Sequence, residues 1–238
     1  MNILKALFPY KCPICGNIHQ KGTSGICTSC GKSLPYVTEP CCKHCGKPLS
    51  DLGQEYCGDC SRKNSCLEQG TAVWVYNDVM KKAIADFKYG GCFEDGAVYA
   101  DELLSYRGGR IAEWHPDGII PVPLHWRKKW FRGFNQAACV AEAIGERLHL
   151  PVYSDGLIRS HYTKPQKGMD NRQRARNLKG AVCINEKYRN KLSGLCRVLL
   201  IDDIYTTGST LEECGRVLRQ CGIPKVYFAC LCIGRDIE

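Results

Sequence analysis

The densest chemistry in the chain lies in Asp202, Asp203 and the hydroxyl run Thr206-Thr207-Gly208-Ser209-Thr210. Free N–H groups at a helix start attract a phosphate, and threonine and serine hydroxyls add donors. Two aspartates at a strand end accept hydrogen bonds from a diol or lie near a divalent cation. A sugar bearing a phosphate beyond its hydroxyls suits this set. The flanks supply the elements that must position it. Val198 to Ile201 is a short branched apolar run and reads as a buried strand. Leu211, Cys214, Gly215, Leu218 and Cys221 recur at helical spacing, and Gly222 and Pro224 end that helix.

A second chemistry is metal binding. Of 18 cysteines, eight form four Cys-x-x-Cys pairs: Cys12/Cys15, Cys27/Cys30, Cys42/Cys45 and Cys57/Cys60. The even spacing of the pairs is an internal repeat of one metal knuckle, with Gly16, Gly31 and Gly46 placed for tight turns. Four thiolates make a closed tetrahedral zinc site and eight make two. Iron–sulfur ligation uses the same ligands, and redox dithiols use the same motif, but regular knuckles favour two structural zincs. Sequential and interleaved use of the pairs both fit the spacing. Cys41 adjoins Cys42 but has the wrong spacing to Cys45. Lys11, Lys21, Lys43 and Lys47 are too dispersed to make this segment mainly a nucleic-acid surface.

A third concentration is cationic. Arg127, Lys128, Lys129 and Arg132 interleave with Trp126, Trp130, Phe131 and Phe134 in a stretch read as a loop. Such a loop holds a pyrophosphate or stacks bases over a basic platform. Ser160 to Lys179 is polar and basic, and its Thr163, Lys164, Gln166, Arg172, Arg176 and Asn177 are candidates for a lid over a phosphate-rich ligand. Lys81, Lys82 and Lys88, on a helix expected from Asp78 to Tyr89, either border the site or are solvated, and solvation is the favoured reading.

The net charge of +9 favours phosphorylated or polyanionic ligands. No apolar run approaches the roughly 20 residues that span a bilayer, so an integral membrane protein is not expected. Met1 to Pro9 is a poor signal peptide. Abundant free cysteine suits a reducing compartment. The cysteine-rich segment, residues 1–66, has little else to make a core, so metal would supply its folding energy. Residues 67–238 alternate strands and helices: strands at Thr71–Tyr76, Gly118–Val122, Asp155–Arg159, Cys183–Ile184, Val198–Ile201 and Lys225–Ile233, with helices at Asp78–Tyr89, Glu94–Tyr106 and Gly133–Leu148. That order predicts an α/β domain with a parallel sheet, helices on both faces, and ligand beyond the carboxyl ends of the strands.

Val198 to Thr210 resembles the signature of type I phosphoribosyltransferases. The resemblance implies that Asp202 and Asp203 contact the ribose hydroxyls of phosphoribosyl pyrophosphate (PRPP) and that Thr206, Thr207, Gly208, Ser209 and Thr210 bind its 5-phosphate. The complete order resembles the ComF family of competence proteins. The shared residues are the four cysteine pairs, Pro121-Val122-Pro123-Leu124-His125 with Arg127, Arg132-Gly133-Phe134-Asn135-Gln136, Thr163, Gln166, Arg172, Asn177-Leu178-Lys179-Gly180, and Asp202-Asp203 with Thr206-Thr207-Gly208.

That family implies handling of incoming single-stranded DNA during natural transformation, on the cytoplasmic side of the membrane, with a helicase-like partner and recombination machinery. The alternative it implies is transfer of a phosphoribosyl group from PRPP, with magnesium, to an unnamed base or amine. Pro123, Leu124, His125 and Arg127, with Lys164, Arg172 and Arg176, would then stabilise departing pyrophosphate. Asn2 stands where an amidophosphoribosyltransferase would carry its cysteine nucleophile, so glutamine-dependent chemistry is not expected.

Overall fold

The computed structural model describes residues 11–18, 25–62, 64–159 and 180–235. The cysteine pairs fold as two ribbons built to one plan. In the first, a bridge between Lys11 and Ile18 closes a turn in which the Gly16 amide donates to the Cys12 carbonyl at 2.8 Å. In the second, a bridge between Cys41 and Pro48 closes the same turn, with Gly46 donating to Cys42 at 2.9 Å. Gly16 and Gly46 take φ of 75° and 76°, which a side chain would strain. The partner pair of each ribbon is helical instead: helix α1, Thr28–Ser33, after Cys27, and a 3₁₀ turn, Cys60–Arg62, after Cys57. Gly31 therefore lies inside α1 and makes no tight turn. There the Cys30 amide donates to Cys27 Sγ at 3.5 Å, and the helix does the folding back.

The chain continues as β1 (Gly70–Val75), α2 (Asp78–Tyr89), α3 (Asp95–Glu113), β2 (Gly118–Pro121), α4 (Trp126–Arg132), α5 (Gln136–Leu148), β3 (Leu157–Arg159), β4 (Val182–Ile184), α6 (Arg189–Leu192), β5 (Arg197–Tyr205), α7 (Ser209–Gln220) and β6 (Lys225–Ile233). The main sheet is four-stranded and parallel, ordered β1-β6-β5-β2, while β3 and β4 form a separate antiparallel pair. Residues 198–201 of β5 and nearly all of β6 are apolar because both faces of the sheet are covered there. One face packs α2, α3 and α5 over Val73, Ile119, Leu199 and Ala229. The other packs α7 and the β3–β4 pair over Ala72, Ile120, Leu200 and Phe228.

The β3–β4 pair departs from the sequence reading, which places both strands in the parallel sheet, and three further elements depart from it as well. α3 runs through Gly108 and Gly109 to Glu113, past the expected end at Tyr106. Ile111 is buried in its last turn, and Trp114 just beyond stacks on Tyr227 at 5.0 Å, so burial outweighs glycine's poor helix propensity. The expected loop from Leu124 to Asn135 contains α4, whose start is capped by His125 accepting from the Arg127 amide at 3.2 Å. Gly133, at φ 82°, ends it. β5 extends past the acidic pair to Tyr205, because β6 is long enough to pair Ile204 with Cys232 and Tyr205 with Ile233.

The ribbons flank the edge strand β1, one on each face. Cys12, Ile14 and Leu34 join the α2–α3 core, where the Tyr99 hydroxyl donates to the Pro13 carbonyl at 3.3 Å. Cys42, Cys45 and Cys57 join the α7 core. The segment between the ribbons shields the open edge of β1: Val37 donates to Val73 at 2.8 Å and Val75 donates to Pro35 at 2.7 Å.

Candidate functional site

β5 delivers the acidic pair to the carboxyl end of the sheet. Neighbouring strand residues face opposite sides. Val198 and Leu200 belong to the α7 core, Leu199 and Ile201 to the α2–α3 core, so Asp202 and Asp203 diverge toward different partners. Asp203 receives an ion pair from Lys88 Nζ at 2.9 Å. Burial opposes the Lys88 charge, but the charge and hydrogen bond of Asp203 outweigh it and hold the ammonium above the ordinary lysine range. Asp202 shares its surroundings with Arg159, from the end of β3. Burial, then the charge of Asp203, pushes the Asp202 carboxyl up to about 7.

The two carboxylates open into a cavity of about 250 Å³ between the ends of β5 and β2. Four cations line it, Lys88, Lys128, Arg132 and Arg159, against two carboxylates. Burial, then the neighbouring Arg159, Arg132 and Lys88, lower the Lys128 pKa, and the charge of Asp203 only partly offsets them. Gln136, almost fully buried, fixes one wall by accepting from Arg132 at 2.9 Å. The cavity joins a smaller cup formed by residues 204–211, and both share Asp202, Ile204, Thr206 and Thr210. In the cup, the Thr207 and Ser209 hydroxyls lie 2.9 Å apart. Gly208, at φ 71°, precedes α7 and has no side chain to cap it, which puts the start of that helix at the cup.

Asp202, Asp203, Pro123, Leu124, Thr206 and Thr210 thus come together around the cavity, and Thr207, Gly208 and Ser209 line the cup. Two expected members do not line either. His125 is buried under the start of α4 as its cap, and Arg127 is exposed, its guanidinium 5.3 Å from the Trp126 ring. The cause is the helix itself: α4 turns Lys128 and Arg132 inward and leaves Arg127 outside. Lys164, Arg172 and Arg176, with Thr163, Gln166 and Asn177, lie outside the described residues, as does Lys21.

Arg159 is the cavity residue the sequence reading does not name, and Lys88 borders the site rather than being solvated. Lys88 follows buried Ile84 by one helical turn, a placement that brings it to the covered side of α2. Arg159 closes a three-residue strand and carries no motif. Lys43 and Lys47 are engaged within the second ribbon, Lys43 with Glu55 and buried Lys47 with Asp59 at 3.0 Å, which removes them as free cations for a nucleic acid.

The eight paired cysteines form two groups of four, Cys12, Cys15, Cys27 and Cys30, then Cys42, Cys45, Cys57 and Cys60, each with all ligand atoms within 4.8 Å of one another. Use of the pairs is therefore sequential. A tetrahedron of sulfurs about 2.3 Å from zinc has edges of about 3.8 Å. Cys15 and Cys27 Sγ are 3.8 Å apart, and Cys45 and Cys57 Sγ are 3.7 Å apart. Those separations fit two structural zinc sites and lie far beyond a disulfide's ~2.05 Å. Cys41 stands outside the group, its thiol donating to the Thr38 carbonyl at 3.2 Å. Among the described residues no helix is long and apolar enough to cross a membrane.

Residues 3–61 match the double zinc ribbon domain family. The chain is 37% identical over 116 residues to competence protein F of Haemophilus influenzae, covering 47% of this chain and 48% of that one. It is 32% identical over 164 residues to competence protein ComFC of Bacillus subtilis, covering 68% and 62%. It is 35% identical over 117 residues to the DNA utilization protein YhgH of Escherichia coli O157:H7, covering 49% of each. The match thus spans about half the length of two of these relatives and 62% of the third. With two four-cysteine clusters ahead of a parallel α/β sheet, this chain belongs to the ComF family of competence proteins, and its N-terminal module is a double zinc ribbon.

Proposed function

We propose that this chain handles single-stranded DNA during uptake, using the outer face of α4, and that its sheet-end cavity binds PRPP or a closely related phosphosugar. The observation that carries the reading is the division of α4. Lys128 and Arg132 line the cavity, while Trp126, Trp130 and Phe131 are 62%, 87% and 79% exposed on the same seven-residue helix. Three large exposed rings on one short helix are costly unless something covers them. Interleaved with cations, they make a stacking surface for unpaired bases. Phe131 also meets the exposed Tyr89 ring edge-on at 6.5 Å, and Arg132 lies over Tyr89 at 4.8 Å, so the platform extends onto α2. The names of the relatives place competence and DNA utilization on similar chains, and this chain's role in them, its helicase-like and recombination partners and its cytoplasmic location are part of this proposal.

The experiment is oligonucleotide binding by the zinc-loaded chain across a salt series. Affinity falls steeply with salt, because cations displace counterions from phosphates. A Trp130→Ala, Phe131→Ala variant weakens binding at least tenfold, and binding unchanged in that variant removes α4 from the account.

Phosphoribosyl transfer is a second reading, favoured by the cup beside the acidic pair. The cup would hold the 5-phosphate, and Asp202 and Asp203 would hold the ribose hydroxyls. The bond between the anomeric carbon and pyrophosphate would break with its electron pair leaving on pyrophosphate. Lys128, Arg132 and Arg159 would meet that charge, and the acceptor's nitrogen would close the new bond and release its proton to solvent. A magnesium ion, if bound, would neutralise pyrophosphate oxygens near the acidic pair. Release of pyrophosphate from PRPP, with and without candidate bases and amines, tests this reading, and no release with any acceptor overturns it.

A further inference from the structure

The second ribbon is joined to the hydroxyl cup by an unbroken column of close contacts. At one end, the knuckle residue His44 accepts the Gly70 amide at 2.7 Å, and its Nδ1 lies 2.9 Å from the Glu68 carbonyl. A Cβ on Gly46 would stand 3.0 Å from the Gly70 carbonyl oxygen, so the knuckle rests directly on the start of β1. Gly70 in turn has no room for a side chain, since the Phe228 ring would lie 2.0 Å from its Cβ. Phe228 stacks on Tyr205 at 5.0 Å with planes 6° apart. The buried Tyr205 then fills the space beneath the cup: a Cβ on Gly208 would fall 2.7 Å from its hydroxyl.

A second tie runs in parallel. Glu212, in the first turn of α7, accepts from Ser65 Oγ at 2.7 Å and from the Cys66 amide at 3.0 Å, both in the linker that leaves this ribbon. Among the described residues the first ribbon has no such route; it packs on the opposite face of the sheet, against α3.

We infer that the second four-cysteine cluster, acting through Gly70, Phe228 and Tyr205, is a positioning element for the phosphate cup at residues 206–210. Close-packed interiors transmit displacement rather than absorb it. Loss of order in the knuckle at residues 42–46 frees Gly70, lets Phe228 and Tyr205 repack, and removes the floor under Gly208. The ribbon in this account is part of the scaffold of the ligand site. The inference rests on the reading of 206–210 as a phosphate cup, and its test is chosen to be independent of ligand.

The test is amide hydrogen exchange across residues 205–213 in the full-length chain, without ligand, in three forms: zinc-loaded wild type, Cys60→Ser and Cys15→Ser. Exchange in 205–213 accelerates about tenfold or more in Cys60→Ser and stays at the wild-type rate in Cys15→Ser. An unchanged rate in Cys60→Ser, or equal acceleration in both variants, overturns the inference. If Cys60→Ser unfolds as a whole, Tyr205→Leu takes its place, since it leaves all eight ligands intact. With two zincs retained per chain, exchange still accelerates in 205–213, and an unchanged rate overturns the inference. Failure of PRPP to bind would count against the cup's assignment while leaving these exchange rates informative.

Discussion

The two ribbons share one plan and differ in their surroundings. In the first, Cys12 is buried, Cys27 and Cys30 are half-buried, and Cys15 is exposed. In the second, Cys42, Cys45 and Cys57 are all buried, and only Cys60 is partly exposed. The repeat dictates the knuckle, and the face of the sheet against which each knuckle packs dictates what depends on it. The first ribbon braces α3 and the edge of β1. The second shares a hydrophobic core with α7, the helix whose start forms the cup. A motif repeated in sequence has thus been placed in two unequal structural roles.

The largest expected effect separates the ribbons by stability. Cys45→Ser removes a fully buried ligand and leaves a polar group in the α7 core, so it costs more than ~3 kcal/mol and lowers the melting temperature by roughly 10 °C. Cys15→Ser, at the exposed corner of its cluster, costs distinctly less, as thermal unfolding with parallel zinc analysis will measure. Equal losses would erase the difference between the ribbons.

A smaller effect sharpens the link to the cup. Gly208→Ala puts a Cβ against Tyr205 at a backbone angle of φ 71°, at a cost of about 1–3 kcal/mol. It weakens PRPP binding at least tenfold by calorimetry while leaving oligonucleotide binding intact.

The smallest effect is in pH. The Asp202 carboxyl holds its proton to about 7, against an ordinary value of 3.8. Between those values the folded state binds more protons than the unfolded state, so this group's contribution to stability falls as pH rises from about 4 to 7 and is level above. Phosphosugar affinity moves the other way, rising through pH 7 as Asp202 becomes a full acceptor for ribose hydroxyls. Asp202→Asn abolishes both slopes, which denaturation and calorimetry at a series of pH values will read.

Much of this was legible in residue types and spacing. The branched run ending in Asp202-Asp203, the hydroxyl turn and the helix after it needed only local pattern, because strand, turn and helix start are adjacent in the chain. The fourfold cysteine spacing likewise announced two clusters, though the choice between sequential and interleaved pairing waited on which thiols lie within reach of one another. The cations were harder. Arg127 and Lys128 are neighbours in sequence, and which one faces the cavity depends on α4 being a helix with a particular rotation, set by the His125 cap and Gly133. Lys88 and Arg159 reach the acidic pair from elements distant in the chain; helical spacing from Ile84 hints at Lys88, whereas Arg159 is assigned by tertiary packing alone. Glycines differ in what they mark: Gly108 and Gly109 lie inside α3, which buried Ile111 carries past the expected end at Tyr106, whereas Gly70 and Gly208 mark close approaches to rings.

The central claim is that one helix divides two activities, a strand-binding face outside and a phosphosugar site inside. It is tested most directly by measuring two affinities, for a single-stranded oligonucleotide and for PRPP with magnesium, on wild type, Trp130→Ala/Phe131→Ala and Asp202→Asn/Asp203→Asn. The account predicts a double dissociation. The aromatic variant loses oligonucleotide binding and keeps PRPP binding. The acidic-pair variant loses PRPP binding and keeps or improves oligonucleotide binding, since two negative charges that repel backbone phosphate are gone. Parallel loss of both ligands in either variant, or no loss in both, would contradict it.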